Sequence, residues 1–433
     1  MTDFSRRFIR PNRREFVGGS AAAVFLASAL SARAQGAKTI KIGFISPVSG
    51  PLAAFGQGDA FVLKQVRAVL SKGYKIGGTN YAVEILDRDT QSDPSRAAQL
   101  AKELITSAGV DLILASSTPE TINPVADACE ASGVPCISTV MPWQAWYFGR
   151  GAKPGQPSPF KWSYHFGFGV DEFAKCYISQ WNLIETNKKV GVLYPNDADG
   201  NAVRSFLAPQ LAKAGFQIVD PGGFEDFTVD YSAQIRAFKE AGVEIINSFA
   251  LPPDFAAFWH QAAQQHLTSG VKIAQIAKMG LFPSDIEALG SLGVNLSSAA
   301  YWHKDMPYKS PVTGQSAADL AKSYEAESNK QWVQSLGSSL ALFDVGLAAL
   351  AGASDPTDRA AIAKSIASLK TDTVGGIVDF TSGPVPNVAS GPIIGTQWVK
   401  GEGKWPVDYV VTENATDPKV PVTNKLIPYN KRS

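Results

Sequence analysis

Four histidines and three cysteines are the side chains most able to bring metal or nucleophilic chemistry to this chain, and neither set is spaced for it. His260 and His266 lie six residues apart, off the three- or four-residue step that puts two ligands on one helix face, and neither H-E-x-x-H nor C-x-x-C occurs. There is no G-x-S-x-G elbow and no Walker loop, and Gly167-x-Gly169 runs on into Val170-Asp171-Glu172 without the third glycine of a dinucleotide fingerprint. Asp87 and Asp89 read as turn and cap residues at a strand end rather than as an acid–base pair, and His165 and His303 as hydrogen-bonding residues near chain crossovers. These readings lead us to expect no catalytic residue, no metal and no cofactor, and so a protein that is not an enzyme. Cys129 and Cys136 are close enough in sequence to pair, but their apolar surroundings favour buried free thiols. Cys176 stands alone.

Non-covalent recognition is the chemistry that remains. Thr139 to Phe168 gathers Trp143, Trp146, Tyr147, Phe148, Phe160, Trp162, Tyr164, Phe166 and Phe168 among prolines and glycines, with no apolar period of 2 or 3.6. It reads as irregular backbone, neither core strand nor helix. Rings on such a loop either pack a domain junction or line a cleft that holds a ligand. We expect junction packing for most and ligand contact for two or three.

The elements that would position such a cleft come in two rounds. Thr39 to Ser46 and Tyr81 to Leu86 read as strands, the helix from Pro94 buries Ala97, Leu100, Ala101, Leu104 and Ile105, and Val110 to Leu114 and Val134 to Ser138 are further apolar strands. After the aromatic stretch the plan restarts at Lys189 to Tyr194, with Phe216 to Val219, a helix carrying Ile235 and Phe238, and Val243 to Ile246. Strands alternating with helices of this length predict α/β architecture, two similar lobes each with a mainly parallel sheet flanked by helices. From Asn414 the prolines and lack of period predict an extended tail over 414–433.

The chain has 433 residues, 45% of them hydrophobic, and a net charge of +1, which suits a globular protein of two or three domains and gives no basic footprint for nucleic acid. Residues 1–34 read as an export signal. Arg6 to Arg14 supply a basic region with the Asn12-Arg13-Arg14-Glu15-Phe16-Val17 pattern of twin-arginine export, Val17 to Leu30 is too short to span a bilayer, and Ala32-Arg33-Ala34 is a cleavage signal. No other run has the apolar length of a span, so we expect a periplasmic protein with no stable membrane insertion.

Ile42-Gly43-x-x-x-Pro47-x-Ser49-Gly50-x-x-x-x-Phe55-Gly56, Asp87-x-Asp89, Asp93-Pro94-x-x-Ala97, Asn123-Pro124-Val125-Ala126-Asp127 and Pro195-Asn196-Asp197-Ala198-Asp199-Gly200 follow one another in an order that resembles the leucine/isoleucine/valine-binding branch of ABC-importer solute-binding proteins, the type I periplasmic binding proteins. The resemblance covers nearly all of the mature chain. It implies lobes of 38–160 with 305–370 and of 161–304 with 371–413, joined by a three-crossover hinge near Phe160 to Phe168, His303 and Thr371. It also implies a monomer that hands a small molecule to an inner-membrane ABC permease. Position by position it assigns ligand contacts to Phe55, Ser116, Ser117, Thr118, Val140, Met141, Trp143, Asp199, Leu251 and Lys278. The family's acidic partner for an α-ammonium has no clear counterpart, and Lys278-Met279 lies in its place. Lys278 reads either as a solvated strand-end charge or as a cleft cation, and the second reading favours an organic acid with an apolar or aromatic body over a zwitterionic amino acid. Asp199 could still meet an ammonium or a phenol. A sensory receptor module of the same fold and a periplasmic enzyme are the alternatives.

Overall fold

The structure is a computed structural model that describes residues 38–432, so the export signal read in 1–34 lies outside the described residues. Six strands open the chain: β1 (Thr39–Ser46), β2 (Tyr74–Ile76), β3 (Thr79–Asp89), β4 (Leu112–Ser116), β5 (Cys136–Thr139) and β6 (Ser163–Gly167). A second series follows as β7 (Lys189–Leu193), β8 (Gln217–Val219), β9 (Ile245–Ser248), β10 (Ile273–Ile276) and β11 (Ser297–Ala300). The chain ends with β12 (Lys370–Thr373), β13 (Gly376–Asp379), β14 (Val388–Ser390), β15 (Ile394–Lys400) and β16 (Val407–Glu413). They build one sheet of order β14-β6-β5-β4-β1-β3-β2, a second of order β16-β15-β11-β10-β9-β7-β8, and the separate ribbon β12-β13. Pairing is parallel except for β2-β3, β11-β15, β15-β16 and the ribbon.

Parallel strands must be covered on both faces, and the side chains of the first sheet divide accordingly. Ile40, Ile42, Phe44, Leu112, Leu114 and Ile137 pack against the helices Asp59–Leu70 and Ser335–Gly352, with the rings of Phe44 and Phe343 stacked 5.4 Å apart. Ile45, Ile113, Ala115 and Cys136 face the helices Pro94–Glu103 and Pro119–Ser132 on the other side. Ser335–Gly352 has the length and mean hydropathy, 1.4, of a membrane span, although Ser335, Ser338, Ser339 and Asp344 interrupt its apolar run. It is the central core helix of this lobe, with 83% of the span buried.

The chain passes between the sheets three times: after β6 at Phe168-Gly169, after β11 at Tyr301 to His303, and between β14 and β15 at Gly391 to Ile393. The first two crossings fall where expected. The third does not, because Thr371 belongs to the β12-β13 ribbon, which bonds to neither sheet and packs on Ser335–Gly352. Two strands also move from the second lobe to the first sheet. β6 pairs with β5 although the boundary was set at 160/161, and β14 pairs with β6 although 371–413 was assigned to the other lobe. The tail is aperiodic but anchored. Val420 and Tyr429 are fully buried, and the Tyr429 hydroxyl accepts from Trp259 Nε1 at 2.8 Å and donates to the Leu292 carbonyl at 2.9 Å.

The aromatic stretch is more regular than its sequence suggests. Trp143–Tyr147 is a short helix and Ser163–Gly167 is strand β6, interior to the first sheet. Strand SYHFG shows no alternation because both of its faces are buried. Arg150 holds the intervening loop down: its guanidinium lies 4.7 Å from the Trp146 ring and 4.1 Å from the Phe160 ring, and it donates to Asp127 at 2.7 Å and to the Ser163 hydroxyl at 3.0 Å. The Glu130 carboxylate accepts the backbone N–H groups of Lys161, Trp162 and Ser163. Most of these rings are packing, as expected. Of the nine, only Phe168 reaches the pocket described next.

Candidate functional site

A pocket lies between the two sheets, outside the carboxyl ends of their strands. The first lobe contributes Phe55, Thr118, Val140 and Pro142, the second contributes Asp199, Phe249, Ala277 and Lys278, and the crossovers contribute Phe168, Tyr301 and Ile393. Phe55 sits on a single 3-10 turn, Ala53–Gly56, that follows the loop after β1, and meets Phe282 of the other lobe edge-on at 5.0 Å. Leu52, Phe55 and Val140 form one apolar cluster with Leu251, Leu281 and Phe282, so the lobes touch across the cleft. Leu251 serves that contact and does not line the pocket. Val140 holds φ at +82°, a conformation that costs a β-branched residue on the order of 1–3 kcal/mol.

Ser116, Ser117 and Thr118 run from the end of β4 into the helix Pro119–Ser132, with Thr118 at its N-cap. None of the three hydroxyls has a hydrogen-bond partner, nor does the buried hydroxyl of Thr121 in the first turn. A buried polar group left unpaired costs roughly 1–3 kcal/mol, so a cluster of four beside a helix N-terminus is suited to an anion that pairs them. Only Thr118 reaches the pocket wall itself. Met141 and Trp143 lie behind that wall: Met141 is core and its carbonyl accepts from His165 Nε2 at 3.1 Å, while the Trp143 ring packs on Phe148 at 5.7 Å. Both had been assigned as ligand contacts, and the turn after β5 directs their side chains into the first lobe instead. His165 also meets the Ser138 hydroxyl through Nδ1, and burial lowers its pKa to about 3, so the ring is neutral.

Lys278, one residue beyond Ala277 at the end of β10, overturns the electrostatic expectation. It is buried, and its Nζ lies 3.0 Å from Asp197 Oδ2 and 3.0 Å from Asp199 Oδ2. Burial pulls the ammonium down, but Asp197, Asp199 and the first lobe's Glu120 outweigh it and its pKa stands well above the usual lysine value. The charge is therefore matched inside the protein and is not free to attract an anion. The excess is negative: burial, with Asp197 and Glu120 adding to it, raises Asp199 despite the lysine, and Asp199 Oδ1 and Glu120 Oε2 are buried without partners. Asp197 is held in place as the N-cap of Ala198–Ala202, accepting the Gly200 N–H at 2.6 Å.

The sequence thus pointed to Phe55, Thr118, Val140, Asp199 and Lys278, all at the pocket, and to Phe168 as one of nine candidate rings, but not to Phe249 and Tyr301, nor to Glu120, which lies outside the lining and acts on Lys278 and Asp199 through its charge. Phe249 and Tyr301 directly follow β9 and β11, and the rule that ligands lie beyond strand carboxyl ends would have found both. Nothing local in the sequence signals Glu120.

Two α/β lobes, three crossovers and a part-apolar cleft with unpaired polar groups from both sides define a two-lobed ligand-binding protein. The sequence pattern of the periplasmic binding protein family matches residues 39–403, and the chain belongs to that family, whose members bind ligands rather than turn them over. Among relatives, a Leu/Ile/Val-binding protein homolog from Brucella abortus (strain 2308) is 22% identical over 233 residues, 52% of this chain and 54% of its own length, so the match spans about half of that relative. A leucine-binding protein from Thermotoga maritima MSB8 superposes with a TM-score of 0.70 at 20% identity, covering 88% of this chain and 99% of its own. A solute-binding protein from Rhodopseudomonas palustris in complex with 4-hydroxybenzoate gives a TM-score of 0.69 at 17% identity, covering 86% and 96%. At these identities the likeness to the solved structures concerns the fold.

Proposed function

We propose that this protein is the exported, periplasmic solute-binding component of an ABC import system, that it acts as a monomer without a covalent step, and that it delivers a hydrophobic amino acid to an inner-membrane permease. The ligand carboxylate would take up the hydroxyls before and within the first turn of Pro119–Ser132, its side chain would lie among Phe55, Phe168 and Phe249, and its ammonium would meet Asp199 Oδ1. The observation that carries this reading is the pairing of Lys278 with two aspartates, which leaves acidic groups, and not the lysine, in need of a counter-charge. Micromolar binding requires about 8 kcal/mol, a sum within reach of one buried apolar body and two charge-assisted sets of hydrogen bonds.

A second reading replaces the ammonium with a phenol and takes a hydroxybenzoate. The rings of Phe55, Phe168, Phe173, Phe249 and Tyr301 favour it, since all five line the pocket. Calorimetry with leucine, phenylalanine, benzoate and 4-hydroxybenzoate separates the two. We expect micromolar binding of leucine or phenylalanine, weakened at least about tenfold in Asp199→Asn, a loss of about 1.4 kcal/mol. Tighter binding of 4-hydroxybenzoate than of either amino acid overturns the first reading in favour of the second, and binding of none of the four overturns both.

A further inference from the structure

The lobes meet through a second ring contact, separate from the one between Phe55 and Phe282. Phe148 belongs to the first lobe and Phe206 to the second, and their rings stack 5.2 Å apart and 26° from parallel. Neither lines the cleft pocket. Of the nine rings in the aromatic stretch, Phe148 therefore neither touches the ligand space nor serves only its own lobe.

Each ring is carried on a firm support. Phe148 ends the short helix Trp143–Tyr147, which the first lobe buries, and its ring rests on Trp143 at 5.7 Å and on Tyr147 at 5.5 Å. Phe206 lies in the helical run of Ala198–Ala202 and Val203–Leu207. Gln210 Nε2 ties that run to the helix Val170–Trp181, donating to the Phe206 carbonyl at 3.0 Å and to Asp171 Oδ1 at 2.7 Å. The same run has Asp197 as its N-cap and carries Asp199 in its first turn. The ring pair thus joins the aromatic stretch of one lobe to the element that presents the cleft acid in the other. Parting the lobes at this point would expose both ring faces to water, a cost that has nothing to do with the ligand's own contacts.

We propose that Phe148 and Phe206 are positioning residues for ligand binding: their stacked rings clasp the lobes in the closed form and set how long a bound molecule is held, without touching it. The proposal deepens the binding reading above and rests on it, but not on which compound is bound. Because the rings contribute only once the lobes have met, they act on release and not on capture.

The test is a double-mutant cycle in Phe148→Ala, Phe206→Ala and the double variant, with rates from stopped-flow tryptophan fluorescence. Leucine is the probe, or whichever of phenylalanine, benzoate and 4-hydroxybenzoate binds wild type. We expect each single variant to release the probe about three- to tenfold faster, the range that one ring pair allows. Association should stay within about twofold of wild type. The double variant should release no faster than the faster single one, because either substitution alone already breaks the pair. Should Phe148→Ala fail to fold, Phe148→Leu, which keeps apolar bulk without a ring face, takes its place in the cycle. Unchanged release in both single variants overturns the proposal, as does a double variant whose rise is the product of the two single rises. An affinity loss that comes from slower association also overturns it. Binding of none of the four compounds to wild type is a failure of the ligand reading and not of the clasp, which is then read on the ligand-free proteins by small-angle X-ray scattering: Phe148→Ala more expanded than wild type supports it, and equal size overturns it.

Discussion

Asp59 shows how far a single buried carboxyl departs from its sequence appearance. It opens the helix Asp59–Leu70, a position that ordinarily welcomes an anion, yet it is 2% exposed, and only its Oδ1 is bonded, by the Ser339 hydroxyl at 2.5 Å. Burial outweighs the hydroxyls of Ser339 and Ser46 and raises its pKa from 3.8 to about 7. A carboxyl raised on folding contributes stability that is complete below its unfolded pKa and is lost as pH rises through the folded one. The window therefore runs from about pH 4 to about pH 7, with a loss approaching 1.4 kcal/mol per unit. Asp344, raised to about 7 by burial in the core helix Ser335–Gly352 that also carries Ser339, adds another such group. Asp59→Asn should make the fall in urea-unfolding free energy between pH 5 and 7 shallower by one group's share, leaving that of the other raised carboxyls, and an unchanged slope would remove Asp59 from the account. Neither this shift nor the neutralised Lys278 was legible in the sequence. Lys278 meets Asp197 across 81 positions, and pairings made by the fold leave no local pattern. Thr118 and Phe55 were legible because they follow strand ends at a motif.

Among the elements, those that obey a period were read correctly and those that escape one were not. β1, β3, β4, β7 and β9 are apolar runs bounded by turn residues, and the helix Pro94–Glu103 buries Ala97, Leu100 and Ala101 as its spacing predicts. β2 and β14 are three residues each, too short to show a period, and missing β14 displaced the third crossover by about twenty positions. The aromatic stretch failed for another reason: its order comes from distant charges, Glu130 and Asp127 on the helix Pro119–Ser132, that bind backbone and Arg150 respectively. The Arg150 side chain has no exposed surface. Arg150→Ala would leave two ring faces unsupported and the Ser163 hydroxyl with one partner fewer, and should cost about 2–4 kcal/mol in chemical unfolding. A cost below about 0.5 kcal/mol, the level of an ordinary surface substitution, would mean that the stretch is held by its rings alone.

At the scale of the whole molecule, the charged groups of the cleft are divided between the lobes. Glu120 belongs to the first lobe, while Asp197, Asp199 and Lys278 belong to the second, so closure brings a third carboxylate up to a lysine already shared by two. With no ligand present, that approach buries excess negative charge and leaves the hydroxyls of Ser116 to Thr118 unpaired, and both effects favour opening. The apolar contact of Phe55 and Leu52 with Leu251 and Phe282 opposes them. On the proposed reading, a ligand that brings its own cation and anion would reverse the balance, because only a closed form would let both ends be paired. Glu120→Gln removes one charge from the opening side without touching the apolar contact. We expect the ligand-free variant to be more compact than ligand-free wild type in small-angle X-ray scattering, and the further compaction on adding saturating leucine to be smaller. A ligand-free variant as expanded as wild type would show that charge across the cleft does not govern the hinge, and would leave the apolar contact and the unpaired hydroxyls as the terms that do.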